Sequence, residues 1–156
     1  MANAVGIHLS FWQTQWSDDL LPLIARAKKA GFEVAEFPLL QPSILDFPAL
    51  KGELDRLDMQ ASCSTGLGIE TDITNPDPGI RERGLNHLYA CLEGASMLGS
   101  PLLGGVTYAP WAVFPTGSLD QRRELCVQSL RKAAKRAEDL GITLCMEVLN
   151  RFEGYL

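Results

Sequence analysis

The amino-acid sequence predicts an α/β fold in which about five parallel strands alternate with four helices. Short apolar segments with the periodicity of strands alternate with longer amphipathic segments along all 156 residues. The longer segments open on helix-capping residues and close on glycine or a polar turn. Strands joined through helices pair in parallel, because each crossover returns the chain to the same end of the sheet. No linker or low-complexity stretch divides the chain, so we expect one domain over residues 1–156.

The strands and helices follow one another in a regular order. The predicted strands cover residues 4–10, 33–40, 60–66, 101–108 and 142–150. The predicted helices cover residues 17–31, 47–58, 77–99 and 118–141. In the first strand Val5, Ile7 and Leu9 alternate with small or polar residues, which is the period of two that a strand requires. The later strands are short apolar runs bounded by turn residues.

The predicted helices have recognisable ends and inner faces. The expected caps are Ser17 or Asp18 for the first helix, Asp77 followed by Pro78 for the third, and Ser118 of the capping box SLDQ for the fourth. The expected ends of these three helices are Gly31, Gly99 and Gly141. The expected inner faces hold Leu50, Leu54 and Leu57 in the second helix, Leu85, Leu88, Leu92 and Ala95 in the third, and Cys126, Leu130, Ala133, Ala134 and Ala137 in the fourth.

Composition and charge disfavour several classes of protein. The net charge of −5 and the isoelectric point of about 5.0 do not provide the basic surface of a nucleic-acid binder. No apolar run approaches the ~18 residues of a membrane span. The first ten residues do not resemble a signal peptide, so we expect a cytoplasmic protein with no membrane partner.

The four cysteines predict buried free thiols rather than disulfides. They are Cys63, Cys91, Cys126 and Cys145, each within a predicted strand or helix and none in a C-x-x-C pair. A structural zinc site is disfavoured, because His8 and His87 lack the spacing of a zinc finger.

Two parallel architectures fit this order of elements, and the position of the unusual residues separates them. A doubly wound sheet usually has a glycine-rich turn after its first strand, whereas SFWQTQW follows the first strand here. In a (β/α)₈ TIM barrel, functional residues lie at the carboxyl ends of the strands. The tryptophans, polar residues and acids that stand out in this chain lie there. A complete barrel needs eight strands and ~250 residues. We therefore predict the N-terminal portion of a barrel, apparently truncated.

Glu147 interrupts the apolar fifth strand. Leu144, Met146 and Val148 share one face of that strand, and if this face packs beneath helices, Glu147 points towards the barrel axis. A carboxylate there needs a metal ion, a proton or a cation as partner. The residues alone leave two interpretations of Glu147 open. In the first it is a metal ligand or an acid/base group, and in the second it forms an ion pair with a nearby lysine or arginine. Glu153 follows in a loop, and two interpretations are open for it as well. It is either a solvated surface acid or a second carboxylate that acts together with Glu147 over the same strand end.

Aromatic and polar residues accompany these acids. Trp12 and Trp16 follow the first strand and Trp111 follows the fourth, and such rings can pack against the C–H groups of a sugar or fill the core. His8 points inward, either as a substrate contact or as a structural histidine. Glu36 ends the second strand and is expected to support the residues that contact substrate.

Three segments, FWQTQW after the first strand, GGVTYAPW at the fourth and MEVLNRFE at the end of the fifth, together resemble the ketose 3-epimerases of the xylose-isomerase-like barrels. That group includes the D-tagatose and D-psicose 3-epimerases, and the resemblance covers the whole chain. It implies that Glu147 is both a metal ligand and one of two carboxylates that move a proton at C3 of a free ketose. The implied substrate-binding residues are Glu153, His8, Trp16, Ser64, Gly66, Val106 and Trp111. His8 stands where the family usually has an aromatic residue, which leaves the preferred sugar open.

The resemblance also implies a divalent metal, with Mn²⁺ preferred and Co²⁺ or Mg²⁺ as alternatives. The family's other metal ligands lie in later strands, so we expect this chain alone to be inactive as a monomer. Two further interpretations stay open. One is another sugar or polyol isomerase, or an inosose dehydratase, of the same barrel superfamily. The other is a fragment without catalysis that self-associates, or forms a homo-oligomer, through open barrel edges.

Overall fold

Five parallel strands lie side by side in their chain order in the computed structural model, which describes residues 3–156. The strands are β1 (Gly6–His8), β2 (Val34–Pro38), β3 (Gln60–Leu67), β4 (Leu102–Pro110) and β5 (Thr143–Leu144). The helices are α1 (Leu21–Lys29), α2 (Phe47–Leu57), α3 (Pro78–Leu98) and α4 (Leu119–Asp139). Strands in chain order are the arrangement of a barrel, whereas a doubly wound sheet reverses its order at a switch point. The predicted partial barrel is confirmed.

The ends of α3 and α4 follow the predicted capping. The Asp77 carboxylate accepts a hydrogen bond from the Gly79 N–H at 2.8 Å. Gly99 ends α3 with a φ of 74°, a left-handed conformation that glycine adopts without strain. The Ser118 hydroxyl accepts from the Gln121 N–H at 3.3 Å at the start of α4. These side chains satisfy N–H groups that the first helical turn leaves unpaired.

The predicted cap of α1 is wrong. The helix begins at Leu21 and its N-cap, Leu20, makes no side-chain hydrogen bond. The Asp18 carboxylate accepts instead from the N–H groups of Thr14 and Gln15 and from the Thr14 hydroxyl, at 2.7, 3.1 and 2.9 Å. These hydrogen bonds, that from the Thr14 backbone first, hold the pKa of Asp18 below its usual value. Asp18 therefore closes the loop before the helix rather than starting the helix.

The predicted fifth strand is longer than the observed one. Regular pairing ends at Leu144, although the N–H groups of Cys145 and Glu147 still donate to β4 carbonyls, Leu103 at 2.8 Å and Gly105 at 2.9 Å. On the face that was expected to pack beneath helices, Leu144 is half-buried against the core, whereas Met146 and Val148 are 59% and 93% accessible. The reason is that, among the described residues, no helix follows β5 to cover this part of the face.

The core lies between the sheet and its helices. In β3 the residues at positions 61, 63, 65 and 67 are buried, while those at 62, 64 and 66 are half-buried on the opposite face. Phe37 of β2, Leu39 just after β2 and Leu103 of β4 are fully buried in the core. The predicted inner faces are confirmed apart from Ala134, which is exposed because Ala133 and Ala137 occupy the buried stripe of α4. Leu57, Leu85 and Leu130 are half-buried.

Three of the four cysteines match the prediction of buried thiols. Burial raises the pKa of Cys63 and of Cys91 to about 12 and that of Cys126 to about 11, so these groups stay protonated near neutral pH. Cys145 is half-exposed beside the open edge. Within residues 3–156, none of the helices combines the length and the apolar character that crossing a membrane requires.

His87 lies behind the sheet in a half-buried cluster. The Thr65 hydroxyl donates to the Leu39 carbonyl at 2.9 Å, so it accepts from Nε2 of His87 at 3.0 Å. Burial lowers the pKa of His87 below 6.5, its ordinary value. His87 therefore packs in this cluster and also has a polar partner.

We expect His87 to make the fold sensitive to mild acid. The unfolded chain binds a proton near pH 6.5, whereas the folded chain binds it only at lower pH. The stabilisation is therefore complete above about pH 6.5 and declines as the pH falls through the lower folded pKa. Urea unfolding of the wild type and of His87→Gln between about pH 7.5 and 5.5 measures this, since glutamine keeps the donor and does not titrate. Equal pH slopes for the two proteins would contradict it.

Candidate functional site

A cavity of about 390 Å³ opens at the carboxyl ends of the strands. This cavity is lined by seven of the candidate site residues that were predicted from the sequence: His8, Trp16, Ser64, Gly66, Val106, Trp111 and Glu147. They come from the ends of β1, β3 and β4, from the loops that follow β1 and β4, and from the segment after β5. The carboxyl ends of parallel strands meet at one edge of a sheet, which explains why positions so distant in the chain share this wall.

A second cavity of similar volume lies between the starts of α1 and α2. Its acids already serve the fold, since Asp46 caps α2 through the Ala49 N–H at 3.0 Å and Asp19 accepts from the Leu21 N–H at 2.9 Å. Asp18 closes the preceding loop. The cavity at the strand ends is therefore the candidate site.

Gly105 shapes the wall between β3 and β4. Its φ is 97°, and a Cβ atom built there would lie 2.1 Å from the Thr65 carbonyl oxygen. Only glycine permits this backbone conformation and this close approach. The register pairs Ser64 with Gly104 and Gly66 with Val106, and it shifts between Gly66 and Leu67. The small residues leave open the space that the cavity occupies.

Glu147 lies on the cavity wall with its backbone fixed to β4 through the hydrogen bond to Gly105. Glu147 as a whole is exposed to solvent. In the part of the chain that the structure describes, no lysine or arginine lies within ion-pair distance of its carboxylate. Of the two interpretations from the sequence, the ion pair is therefore not observed, and a carboxylate facing a cavity suits an acid/base group or a metal ligand.

Glu153 lies beside the cavity rather than on its wall. Its carboxylate accepts a hydrogen bond from the Asn150 side-chain amide. Its carbonyl accepts from the Ala112 N–H at 2.9 Å, which joins this turn to the loop that carries Trp111. Contact between Glu153 and a substrate stays a prediction.

His8 forms a polar cluster at the base of the wall. Nε2 of His8 lies 3.0 Å from the Ser64 hydroxyl and 3.9 Å from a carboxylate oxygen of Glu36. Nδ1 accepts from the Ser10 N–H at 3.3 Å and also meets the Ser10 hydroxyl. Glu36 therefore lies behind His8 and does not line the cavity, and its supporting role stays a prediction.

The three tryptophans divide between the site and the core. Trp16 and Trp111 line the cavity and are more than half exposed. Trp12 packs against the core, with the guanidinium of Arg26 4.7 Å above its ring. The two exposed rings can contact the apolar faces of a small ligand.

The sequence did not predict the buried ion pair between Arg122 and Asp72. Arg122 of α4 donates to the Asp72 carboxylate at 3.2 Å and to the Thr74 hydroxyl at 3.1 Å. The Thr74 hydroxyl also meets the Tyr155 hydroxyl, and burial raises the pKa of Tyr155. No local pattern announces a pair separated by 50 positions. This network joins Tyr155, which follows the turn at residues 151–153, to the loop after β3.

The described residues do not make a metal centre by themselves. No group of three His, Cys, Asp or Glu side chains within residues 3–156 is placed to hold an ion. The Glu147 carboxylate can supply one or two oxygen ligands, whereas divalent ions in proteins require more.

Comparison with known proteins finds consistent relatives. A family model described as xylose isomerase-like TIM barrel matches residues 24–156. A D-psicose 3-epimerase of Ruminiclostridium cellulolyticum is 32% identical over 97% of this chain and 53% of its own length. An L-ribulose 3-epimerase of Methylomonas sp. is 32% identical over 95% of this chain and 52% of its own length.

The solved structures agree with the sequence relatives. A D-allulose 3-epimerase from Methylomonas sp., crystallised in complex with D-allulose, superposes with a TM-score of 0.90 at 31% identity. The match covers 97% of this chain and 53% of that one. The chain thus spans about half the length of the curated relatives that it matches.

Proposed function

The chain belongs to the xylose isomerase-like TIM barrel family, and we propose that it carries the N-terminal part of an enzyme that epimerises a free ketose at C3. One observation supports this most strongly. Seven residues that the sequence analysis singled out line one cavity, whose volume of about 390 Å³ suits a monosaccharide. The relatives at 32% identity are named as sugar 3-epimerases. A reaction on a monosaccharide agrees with the size and lining of this cavity.

The proposed reaction is a proton transfer at C3. The C2 carbonyl of the ketose acidifies the C3 proton, and the Glu147 carboxylate removes it to leave a cis-enediolate. Return of a proton to the opposite face of C3 inverts its configuration. Glu147 serves one face, so a second acid on the other face completes the exchange. Trp16 and Trp111 pack on the sugar's C–H groups and hold C3 beside the carboxylate.

Dependence on a divalent ion belongs to the same proposal, with Mn²⁺ favoured over Co²⁺ and Mg²⁺. Such an ion stabilises negative charge on sugar oxygens when bound. Glu147 would be one of its ligands, and residues outside 3–156 would supply the others. The proposed substrate contacts also include Glu153, whose turn is fixed to the Trp111 loop.

The test is conversion of D-fructose to D-psicose by the natural gene product with Mn²⁺, repeated in D₂O. We expect turnover and deuterium at C3 of the product, because the exchanged proton equilibrates with solvent. A panel of ketohexoses and ketopentoses defines the preferred sugar, and an inosose included in it tests the dehydratase alternative. Absence of turnover on every ketose would overturn the proposal, and a product without deuterium would overturn the proton-transfer mechanism. The 156-residue chain alone should be inactive, because it provides one carboxylate on the cavity wall.

A further inference from the structure

The hydrogen bonds around His8 fix which of its ring nitrogens carries the proton. The Ser10 N–H points at Nδ1 at 3.3 Å, and a backbone N–H can only donate. Nδ1 must therefore present its lone pair. In the neutral imidazole the proton then lies on Nε2, on the side of Ser64 and Glu36. The Glu36 carboxylate, 3.9 Å from Nε2, favours an N–H at that position.

This tautomer sets the direction of the Ser64 hydroxyl. Nε2–H donates to the Ser64 oxygen at 3.0 Å, so the serine oxygen accepts and its own proton remains to be donated. Within residues 3–156 the Ser64 hydroxyl has no other hydrogen-bond partner. Ser64 lies on the inward face of β3 and lines the cavity.

We propose that His8 is a positioning residue that holds the Ser64 hydroxyl as a hydrogen-bond donor towards an oxygen atom of the sugar in the cavity. This inference rests on the proposed function for the nature of the ligand. A histidine occupied on both nitrogens does not compete with the sugar for that donor, and it prevents Ser64 from turning its proton away from the cavity. The pair thereby selects ligands that present an acceptor oxygen at this point of the wall.

The tautomer is measured first, and independently of any sugar. Nitrogen-15 NMR of the natural gene product distinguishes a protonated from an unprotonated ring nitrogen, and His8→Gln identifies the signals of residue 8. We expect Nε2 to be protonated and Nδ1 unprotonated at neutral pH. A proton on Nδ1 would overturn the proposal, because Ser64 would then have to donate to the ring.

The second measurement is a double-mutant cycle on sugar binding. Ser64→Ala and His8→Phe should each weaken binding of the preferred ketose about three- to tenfold, as expected for one lost hydrogen bond. The double variant should be no weaker than Ser64→Ala, because His8 acts through Ser64. Both changes should raise KM and leave kcat nearly unchanged, since the donor binds ground state and transition state alike. Ser62→Ala, on the same face of β3 but off the cavity wall, is the matched control.

Binding is followed through the fluorescence of the two cavity tryptophans, so it does not depend on turnover. Additive effects of the two changes would overturn the role of His8, as would an effect of Ser62→Ala equal to that of Ser64→Ala. If a ketose binds and the cycle is non-additive while no epimerisation occurs, this inference stands and the proposed reaction falls. If no ketose binds, both fall.

Discussion

Replacing Glu147 with glutamine is expected to lower ketose turnover by the natural gene product about 10²- to 10⁴-fold, the range for loss of a general acid/base. Glutamine keeps the shape of the side chain and the backbone hydrogen bond to Gly105, so the wall of the cavity is preserved. It cannot accept the C3 proton. The structure strengthens this expectation, because within the described residues no cation pairs with Glu147 and its carboxylate has no structural partner to lose. Steady-state kinetics with the preferred ketose measures the loss of turnover. Circular dichroism of the variant measures whether the fold is preserved.

The matched control is Glu33→Gln, which removes one negative charge from the opposite end of the sheet. Glu33 precedes β2 and is exposed, and its backbone N–H bonds to Val5 at the amino end of the strands. Its turnover should equal that of the wild type. Retained turnover in Glu147→Gln, within about tenfold of the wild type, would remove Glu147 from the proton transfer. The site would then require a different base.

The structural elements whose signal lies within a few residues could be predicted from the sequence. Asp77, Pro78 and Gly99 act on their own helix, so α3 begins and ends where the sequence indicates. Asp18 has the same cap chemistry, yet it bonds backward to Thr14 and Gln15. Both arrangements satisfy backbone N–H groups, and the choice between them depends on the path of the loop before α1. Only the three-dimensional structure contains that path.

In the candidate site, the positions on or beside regular strands could be predicted from the sequence, whereas those in irregular segments could not. The alternation of β3 and the rule that parallel strands end together place Ser64, Gly66 and Glu147 near one another without any knowledge of loops. Glu153 lies six residues beyond Glu147 in an irregular segment, where no periodicity indicates which way a side chain points. Its position depends on the bond from Ala112, and that bond depends on the fold of the Trp111 loop.

Replacing Arg122 with alanine is expected to destabilise the protein by about 3–5 kcal/mol, the usual loss when a buried pair is broken from one side. The side chains of Arg122 and Asp72 are 10% and 5% exposed, so water cannot replace the guanidinium beside the carboxylate. Thr74 still donates to Asp72 through its N–H and its hydroxyl, at 2.9 and 2.6 Å. These neutral donors do not compensate the buried charge. Urea unfolding at neutral pH measures the loss.

Arg123→Ala is the control, because it removes the same charge from the next position of α4. Its partner Asp120 is 94% exposed, and the free energy of unfolding should change by less than about 1 kcal/mol. If Arg122→Ala is no more harmful than this control, the buried pair contributes little to stability. Adding Asp72→Asn to Arg122→Ala separates the two causes of the loss. Recovery of part of the stability identifies the stranded carboxylate as the main cause.

The same network ties stability to the candidate site. Tyr155 meets Thr74 through its hydroxyl, and the Arg122 guanidinium lies 5.9 Å from its ring centre. Arg122→Ala therefore releases the end of the segment that begins at Glu147, in addition to exposing the buried charge. Amide hydrogen exchange should rise in residues 150–155 of the variant and stay unchanged in β2 and β3 near the core. Exchange that rises equally throughout the protein would indicate global destabilisation alone, with no specific role in holding this turn beside the cavity.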